Sequence, residues 1–152
     1  MKEEATESRL ILLVEDDEND VRLIQRALRK GDVPNPIEVV RDGERALDYL
    51  FAQGEYADRD RYPLPSLVLL DLKLPKYSGH EVLERIKGEP VLRRLPVVVL
   101  TSSTESADIN RAYDLGANSY LVKPVRLDDL EKLAQATHLY WLLLNQSPTP
   151  CE

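Results

Sequence analysis

Five short apolar runs recur along the 152-residue chain and alternate with segments of helical periodicity. The runs are rich in Val, Leu and Ile and show little alternation of polar and apolar residues, which is typical of strands covered on both faces. They lie in RLILLVED, PIEVVRD, SLVLLD, LPVVVLTS and SYLVKP. Strict alternation of this kind predicts right-handed crossovers and a single α/β domain, a doubly wound five-stranded parallel sheet with five helices.

The helical segments carry apolar residues three and four positions apart, as a helix with one face on a sheet requires. Helices are predicted over 18–30, 44–51, 78–87 and 107–115, and from Leu127 onward. The long connection 52–65 is rich in charges and prolines, which predicts an exposed loop.

The domain limits follow from the two ends of the periodic pattern. We predict a disordered lead over 1–8, one domain over 9–145 with an extended C-terminal helix, and a tail over 146–152. The chain is expected to end without a DNA-binding or catalytic module after the fifth helix.

Composition narrows the classes of partner and the compartment. With 20 basic and 27 acidic residues the formal charge is −7, which disfavours nucleic acid as a partner. Cys151 is the single cysteine, so no disulfide forms within the chain and a cytoplasmic location is expected. The polar start lacks the apolar segment of a signal peptide, and no run reaches membrane-spanning length, so no membrane contact is predicted.

Charged and hydroxyl side chains follow four of the predicted strands. Glu15 and Asp16 end the first strand, Asp71 the third, Thr101 the fourth and Lys123 the fifth. Ligands of open parallel sheets bind beyond the carboxyl ends of the strands, so these side chains are predicted to converge on one site. The alternative for Asp71 alone is a solvated strand end.

The convergent groups suit phosphoryl transfer. Crowded carboxylates repel one another unless a hard cation neutralises them, and oxygen ligands without Cys or His indicate Mg²⁺. One carboxylate then remains to attack phosphorus and become an aspartyl phosphate. Lys123 and the hydroxyl of Thr101 would stabilise the phosphoryl oxygens.

At these residues the chain resembles the receiver domain of two-component response regulators. The motifs VEDD, LLDLKLPKYSG, VVVLTSS and YLVKP match that family in order and spacing, from about Leu10 to Leu144. The resemblance implies a flavodoxin-like receiver fold and a cis bond between Lys123 and Pro124. It assigns these roles: Asp71 as phosphoacceptor, Glu15 and Asp16 as the acidic pair at the metal, the backbone carbonyl of Lys73 as a further ligand, Thr101 and Tyr120 as the switch pair, and Lys123 as the active-site lysine.

The same resemblance implies a function. The chain is expected to be a single-domain regulator, phosphorylated by a sensor histidine kinase and similar to the stand-alone regulators of bacterial and cyanobacterial phytochromes. It would not be an enzyme beyond catalysing its own phosphorylation and dephosphorylation. The alternatives are a phosphorelay intermediate or phosphate sink in another pathway, a phosphatase-like enzyme and a scaffold that never takes phosphate. Lys73 argues against the phosphatase, which needs a carboxylate two residues after Asp71.

The end of the last helix changes character after His138. Apolar residues then cover every direction around the axis, so docking on the sheet would leave several exposed. We predict a homodimer with Tyr140, Trp141 and Leu144 in the interface. The alternative is a helix that frays after Leu139, with a tail folded back on its own domain.

Overall fold

The computed structural model describes residues 10–30 and 35–137, and its framework is a parallel sheet. The strands are β1 (Ile11–Val14), β2 (Ile37–Val40), β3 (Leu67–Leu70), β4 (Val97–Thr101) and β5 (Ser119–Val122). Their order is β2-β1-β3-β4-β5, and every neighbouring pair is parallel. The predicted doubly wound sheet is confirmed. Because β1 and β3 are neighbours near the centre of the sheet, the side chains that follow their carboxyl ends lie close together.

Five α-helices connect and cover the strands. They are α1 (Glu18–Lys30), α2 (Gly43–Leu50), α3 (Gly79–Gly88), α4 (Ser106–Asp114) and α5 (Leu127–Thr137). Every predicted helix boundary that falls in the described residues lies within one residue of the observed one. Helices α1 and α5 pack on one face of the sheet, and α2, α3 and α4 pack on the other.

Alternate residues of the central strands enter two separate cores. In β1, Leu12 and Val14 face the α2–α4 layer, whereas Ile11 and Leu13 face α1 and α5. Both faces are therefore apolar, as the unbroken runs predicted. The prediction is wrong for β2 and β5, whose side chains are mostly half-buried. These are the edge strands, with one strand neighbour each, so the helical layers cover them less completely.

The connection between α2 and β3 is only in part the exposed loop that its charges predicted, because half of residues 52–65 are exposed and the rest are half-buried or buried. It contains a short 3₁₀ turn and buries Tyr56, whose ring packs 5.1 Å from that of Tyr49 and 5.0 Å from that of Tyr62. The guanidinium of Arg59 donates to the carbonyls of Tyr49, at 2.9 Å, and Leu50, at 2.6 Å. An Arg that satisfies the last carbonyls of a helix stabilises its end, so this connection is a folded cap on α2.

Some predicted features fall outside the described residues. They include the lead over 1–8, the tail over 146–152, and Tyr140, Trp141 and Leu144 of the predicted dimer interface. Within residues 10–30 and 35–137, no helix has the length and apolar character needed to cross a membrane.

Candidate phosphoryl-acceptor site

The carboxylates of Glu15 and Asp71 are brought together by strand pairing. Val14 and Leu70 are partners in the register of β1 and β3, so the next residue of each strand leaves the sheet at the same level. The N–H of Asp71 donates to the carbonyl of Val14 at 3.1 Å, which continues the ladder by one step. Both side chains are buried, and Asp16 beside them is exposed.

The ammonium of Lys123 lies at the centre of three carboxylates. Its Nζ is 2.7 Å from Oε1 of Glu15, 2.8 Å from Oδ2 of Asp20 and 3.1 Å from Oδ2 of Asp71. Lys123 follows β5, and its N–H donates to the carbonyl of Thr101 at 2.7 Å. One lysine therefore joins the ends of β1, β3 and β5 to the first turn of α1.

The crowding of charges shifts the pKa values of Glu15 and Lys123. Burial raises the pKa of Glu15 to about 7; the hydrogen bond from Lys123 opposes this shift, and the charge of Asp71 adds to it. Burial alone lowers the pKa of Lys123. The hydrogen bonds to Asp20 and Glu15, together with the charge of Asp71, outweigh burial and raise the pKa of Lys123 above its ordinary value.

The three predicted acids form a group that suits a divalent cation. Glu15, Asp16 and Asp71 each offer a carboxylate oxygen, and these oxygens all lie within 4.8 Å of one another. A set of oxygen donors without Cys or His fits a hard cation such as Mg²⁺, Ca²⁺ or Mn²⁺. Asp16 is exposed and Glu15 is 1% exposed. The predicted role of the Lys73 carbonyl as a further ligand stays a prediction.

Backbone groups orient the carboxylate of Asp71. Its Oδ1 accepts the N–H of Leu72 at 2.7 Å and faces the N–H of Lys73 at 3.4 Å, which leaves Oδ2 toward Lys123. Gly79 at the start of α3 lies against the same segment, where an added Cβ would come 2.3 Å from the carbonyl oxygen of Asp71. Any larger residue at position 79 would push this backbone away, so glycine there preserves the orientation of Asp71.

Thr101 ends β4, and Tyr120 lies on the neighbouring strand β5 opposite Val99, two positions before Thr101. The hydroxyl of Thr101 is fully buried and has no hydrogen-bond partner within the described residues. The hydroxyl of Tyr120 donates to the carbonyl of Ser103 at 3.0 Å, and the hydroxyl of Ser103 donates to Asp108 of α4 at 2.6 Å. A buried hydroxyl without a partner is costly, so the structure favours an incoming hydrogen-bond partner at Thr101.

The cis bond that the family resemblance implied between Lys123 and Pro124 is absent. No peptide bond in the described residues is cis. The ammonium still reaches all three carboxylates because the backbone of Lys123 is held by its hydrogen bond to Thr101 and the long side chain spans the remaining distance.

Sequence reasoning missed two acids of the β1–α1 junction. Asp20 contacts Lys123, and Asp17 caps α1 by accepting the N–H groups of Asn19 at 2.8 Å and Asp20 at 3.2 Å. The sequence did contain an indication of Asp20, because it lies only four residues after Asp16, in the first turn of the helix that begins between them. Acids in the first turn of a helix are common because they interact favourably with the helix dipole, so the position of Asp20 did not by itself indicate a contact with Lys123.

Comparisons with known proteins agree with this geometry. The family model for the response regulator receiver domain matches residues 11–135. A protein of Methanothrix harundinacea named "Probable methanogenesis regulatory protein FilR2" is 48% identical over 147 residues, which are 97% of this chain and 92% of the relative. The response regulator Rcp1 of Synechocystis is 44% identical over 142 residues, 93% of this chain and 95% of Rcp1.

Solved structures give the same likeness in three dimensions. The phosphorylated cyanobacterial phytochrome response regulator RcpA superimposes with a TM-score of 0.87 at 43% identity, covering 94% of this chain and 100% of RcpA. Rcp1 in its Mn²⁺-bound form superimposes with a TM-score of 0.83 at 43% identity, covering 93% and 99%. The likeness extends over nearly the whole of each protein.

Proposed function

This chain belongs to the response regulator receiver family, and from that premise we propose that it takes a phosphoryl group from a sensor histidine kinase onto Asp71 and then changes its contacts with other proteins. The observation that carries the proposal is the buried Asp71 carboxylate, with one oxygen held by backbone N–H groups and the other 3.1 Å from an ammonium. A carboxylate oriented in this way can act as a nucleophile, and the ammonium of Lys123 can stabilise the negative charge of the phosphoryl group that it accepts.

The proposed transfer is an exchange of bonds at phosphorus. An oxygen of Asp71 bonds to phosphorus as the bond from phosphorus to the imidazole nitrogen of the kinase's phosphohistidine breaks. The electron pair of that bond leaves with the imidazole, and an aspartyl phosphate remains on this chain. Lys123 then faces a phosphoryl oxygen, where its positive charge stabilises the product.

Among divalent cations we propose Mg²⁺ as the resident ion, held by Glu15, Asp16, Asp71 and the backbone carbonyl of Lys73. When bound, the cation offsets the repulsion among the carboxylates and the charge of the incoming phosphoryl group. The grouping of three carboxylate oxygens within 4.8 Å supports this proposal. The existence of a Mn²⁺-bound form of the relative Rcp1 supports a divalent cation as well.

The proposed switch uses Thr101 and Tyr120. The buried hydroxyl of Thr101 has no partner in the described residues, so a phosphoryl oxygen on Asp71 would supply one. The segment that follows Thr101 is tied by Ser103 both to Tyr120 on β5 and to Asp108 on α4. A movement of Thr101 toward the phosphoryl group would therefore reach α4 and the edge strand, where partner proteins can read it.

The pathway we propose is light signalling by a phytochrome histidine kinase. The high identity to RcpA, described as a cyanobacterial phytochrome response regulator, supports this choice. The relative FilR2 carries a different pathway in its name, which keeps a phosphorelay or phosphate-sink role elsewhere as the second candidate. Phosphotransfer from a purified phytochrome kinase, measured against an unrelated histidine kinase, separates the two.

We also propose that the protein is cytoplasmic and forms a homodimer through Tyr140, Trp141 and Leu144. The dimer is supported by the sequence pattern from Leu139 to Leu144, which would be apolar in every direction around a helix. Light scattering is expected to give a dimer mass, and Trp141→Glu a monomer mass. A monomer at micromolar concentration for the unaltered protein would end this part of the proposal.

Intact mass spectrometry tests the core of the proposal. Incubation with acetyl phosphate and Mg²⁺ is expected to add the mass of one phosphoryl group, and chelation of the metal to prevent it. Asp71→Asn removes the nucleophile at nearly constant shape and is expected to abolish the addition. A phosphoryl group that still appears on Asp71→Asn, or none on the unaltered protein, contradicts the assignment.

A further inference from the structure

We propose that Asp20 is a positioning residue of the phosphoryl site, which holds the Lys123 ammonium in the resting protein and competes for it with the phosphoryl group. This inference rests on the proposed function and deepens it. Asp20 would thereby set the balance between the divalent cation and the phosphoryl anion, because one carboxylate acts on both.

The contacts of Lys123 carry the inference. An ammonium has three N–H donors, and in this protein each faces a carboxylate, those of Glu15, Asp20 and Asp71. No donor is left for a newcomer, so a phosphoryl oxygen reaches Lys123 only when one carboxylate gives way. Asp20 is the second shortest of the three contacts, at 2.8 Å.

Asp20 differs from the other two partners of Lys123 in where it stands. Glu15 and Asp71 belong with Asp16 to the group whose oxygens suit a cation, and Asp20 does not. A cation in that group would therefore draw on the charge of Glu15 and Asp71 and leave Asp20 as the partner free to keep Lys123. Asp20 is also the most exposed of the three, with 36% of its side chain accessible, so it can turn toward solvent at small cost.

The sign of the effect follows from charge. A carboxylate beside the site attracts the cation, so its neutralisation weakens cation binding. The same carboxylate repels a phosphoryl group and occupies a donor of Lys123, so its neutralisation strengthens the binding of a phosphoryl mimic. A change that moves the two affinities in opposite directions is the signature of this role, whereas loose folding of the site lowers both.

Glu18 provides a matched control on the same helix. It lies in the first turn of α1, two residues before Asp20, but its carboxylate pairs with the exposed Arg22 and Arg41 instead of Lys123. Glu18→Gln removes one negative charge from the same turn and leaves the contacts of Lys123 intact. Comparison of the two variants separates a direct contact from a general change in local charge.

The experiment measures two affinities of the full chain by titration calorimetry. The first is that for Mg²⁺ alone, and the second is that for beryllofluoride, a phosphoryl mimic, at saturating Mg²⁺. Relative to the unaltered protein, Asp20→Asn is expected to bind Mg²⁺ about threefold to tenfold more weakly and beryllofluoride more tightly by a similar factor. Glu18→Gln is expected to change either affinity less than twofold.

A cycle with Lys123→Met tests whether Asp20 acts through the ammonium. In that background the effect of Asp20→Asn on beryllofluoride binding is expected to shrink to less than twofold, because the shared partner is gone. The Mg²⁺ of the second titration offsets the repulsion among the carboxylates in the Lys123→Met variants. If those variants fail to fold, Asp20→Asn and Glu18→Gln in the unaltered background test the proposal.

Each outcome bears on one idea. Three results would overturn the role of Asp20. One is that Asp20→Asn binds Mg²⁺ and beryllofluoride as the unaltered protein does, another is that it binds both more weakly, and the third is that Glu18→Gln shows the same shifts as Asp20→Asn. Failure of the unaltered protein to bind beryllofluoride would instead overturn the proposed function, and the two results cannot be confused.

Discussion

Two lysines at opposite ends of the sheet each make three hydrogen bonds, but to partners of different kinds. Lys123, at the carboxyl ends of the strands, donates to three carboxylates. Lys87, at the amino ends of β4 and β5, donates to the carbonyls of Arg93 at 3.0 Å and Leu95 at 2.8 Å and to the side-chain oxygen of Asn118 at 3.0 Å. The first set of partners is charged, and the second is neutral.

The pKa values of the two lysines move in opposite directions for this reason. Burial lowers the pKa of Lys87 to about 8, and no carboxylate opposes the shift. Burial acts on Lys123 too, but the carboxylates raise its pKa above the ordinary value. Neutral partners hold Lys87 in one arrangement and serve the fold alone. The carboxylates around Lys123 can instead pair with a divalent cation, so the partners of Lys123 can change whereas those of Lys87 cannot.

The largest expected effect comes from Lys123→Met. It leaves the buried carboxylates of Glu15 and Asp71 without their cation, and breaking a buried pair in this way costs about 2 to 3 kcal/mol of unfolding free energy, reduced from the usual range because Glu15 can take up a proton. Millimolar Mg²⁺ is expected to recover most of the loss by pairing with the same carboxylates. Urea unfolding with and without Mg²⁺ measures both.

The corresponding change at the other lysine, Lys87→Met, sharpens the comparison. It removes the donor shared by three acceptors, of which the carbonyl of Leu95 is half-buried and the other two are exposed, so about 1 kcal/mol of unfolding free energy should be lost. Mg²⁺ is expected to recover none of it. Lys76→Met, which breaks an exposed ion pair with Glu44, is the control and should stay within about 0.5 kcal/mol. Equal recovery by Mg²⁺ at both lysines would contradict the distinction.

The features that were predicted from sequence depend on local pattern and on one rule of sheet geometry. The strands and helices follow from the periodicity of their apolar residues. The convergence of Glu15 and Asp71 follows from the common edge of parallel strands and needs no knowledge of side-chain conformation.

The features that were missed depend on contacts between distant segments. Arg59 and Tyr56 lie in a stretch whose composition is typical of exposed loops. Tyr56 is buried and Arg59 half-buried because the stretch folds back on Tyr49 and the end of α2. Asp20 meets Lys123 across 103 positions of the chain. Composition averages over such a stretch, whereas one guanidinium that reaches three carbonyls, those of Tyr49, Leu50 and Tyr62, decides its fold.

The smallest expected effect is a dependence of stability on pH that belongs to Lys87. Its pKa is about 8 in the folded protein and about 10.5 when unfolded, so between these values the unfolded chain binds more protons. The penalty of burying the charge is complete below pH 8 and is relieved as the pH rises, which predicts that stability increases from pH 8 to 9.5. Measurements should stop there, because tyrosines ionise above it and Lys123 begins to lose its proton in the unfolded chain.

The difference between the unaltered protein and Lys87→Met isolates this contribution. Other groups that titrate between pH 8 and 9.5 act equally on both proteins and cancel. We expect the stability advantage of the unaltered protein over Lys87→Met to grow by about 0.5 to 1 kcal/mol over this range, because a half-buried amine is partly screened by water. The same comparison for Lys76→Met is expected to stay flat, since Glu44 raises the pKa of the exposed Lys76 and keeps it protonated over this range. An advantage that grows equally at Lys76, or that shrinks with pH at Lys87, would show that burial among neutral partners does not lower the pKa of Lys87 in the folded protein.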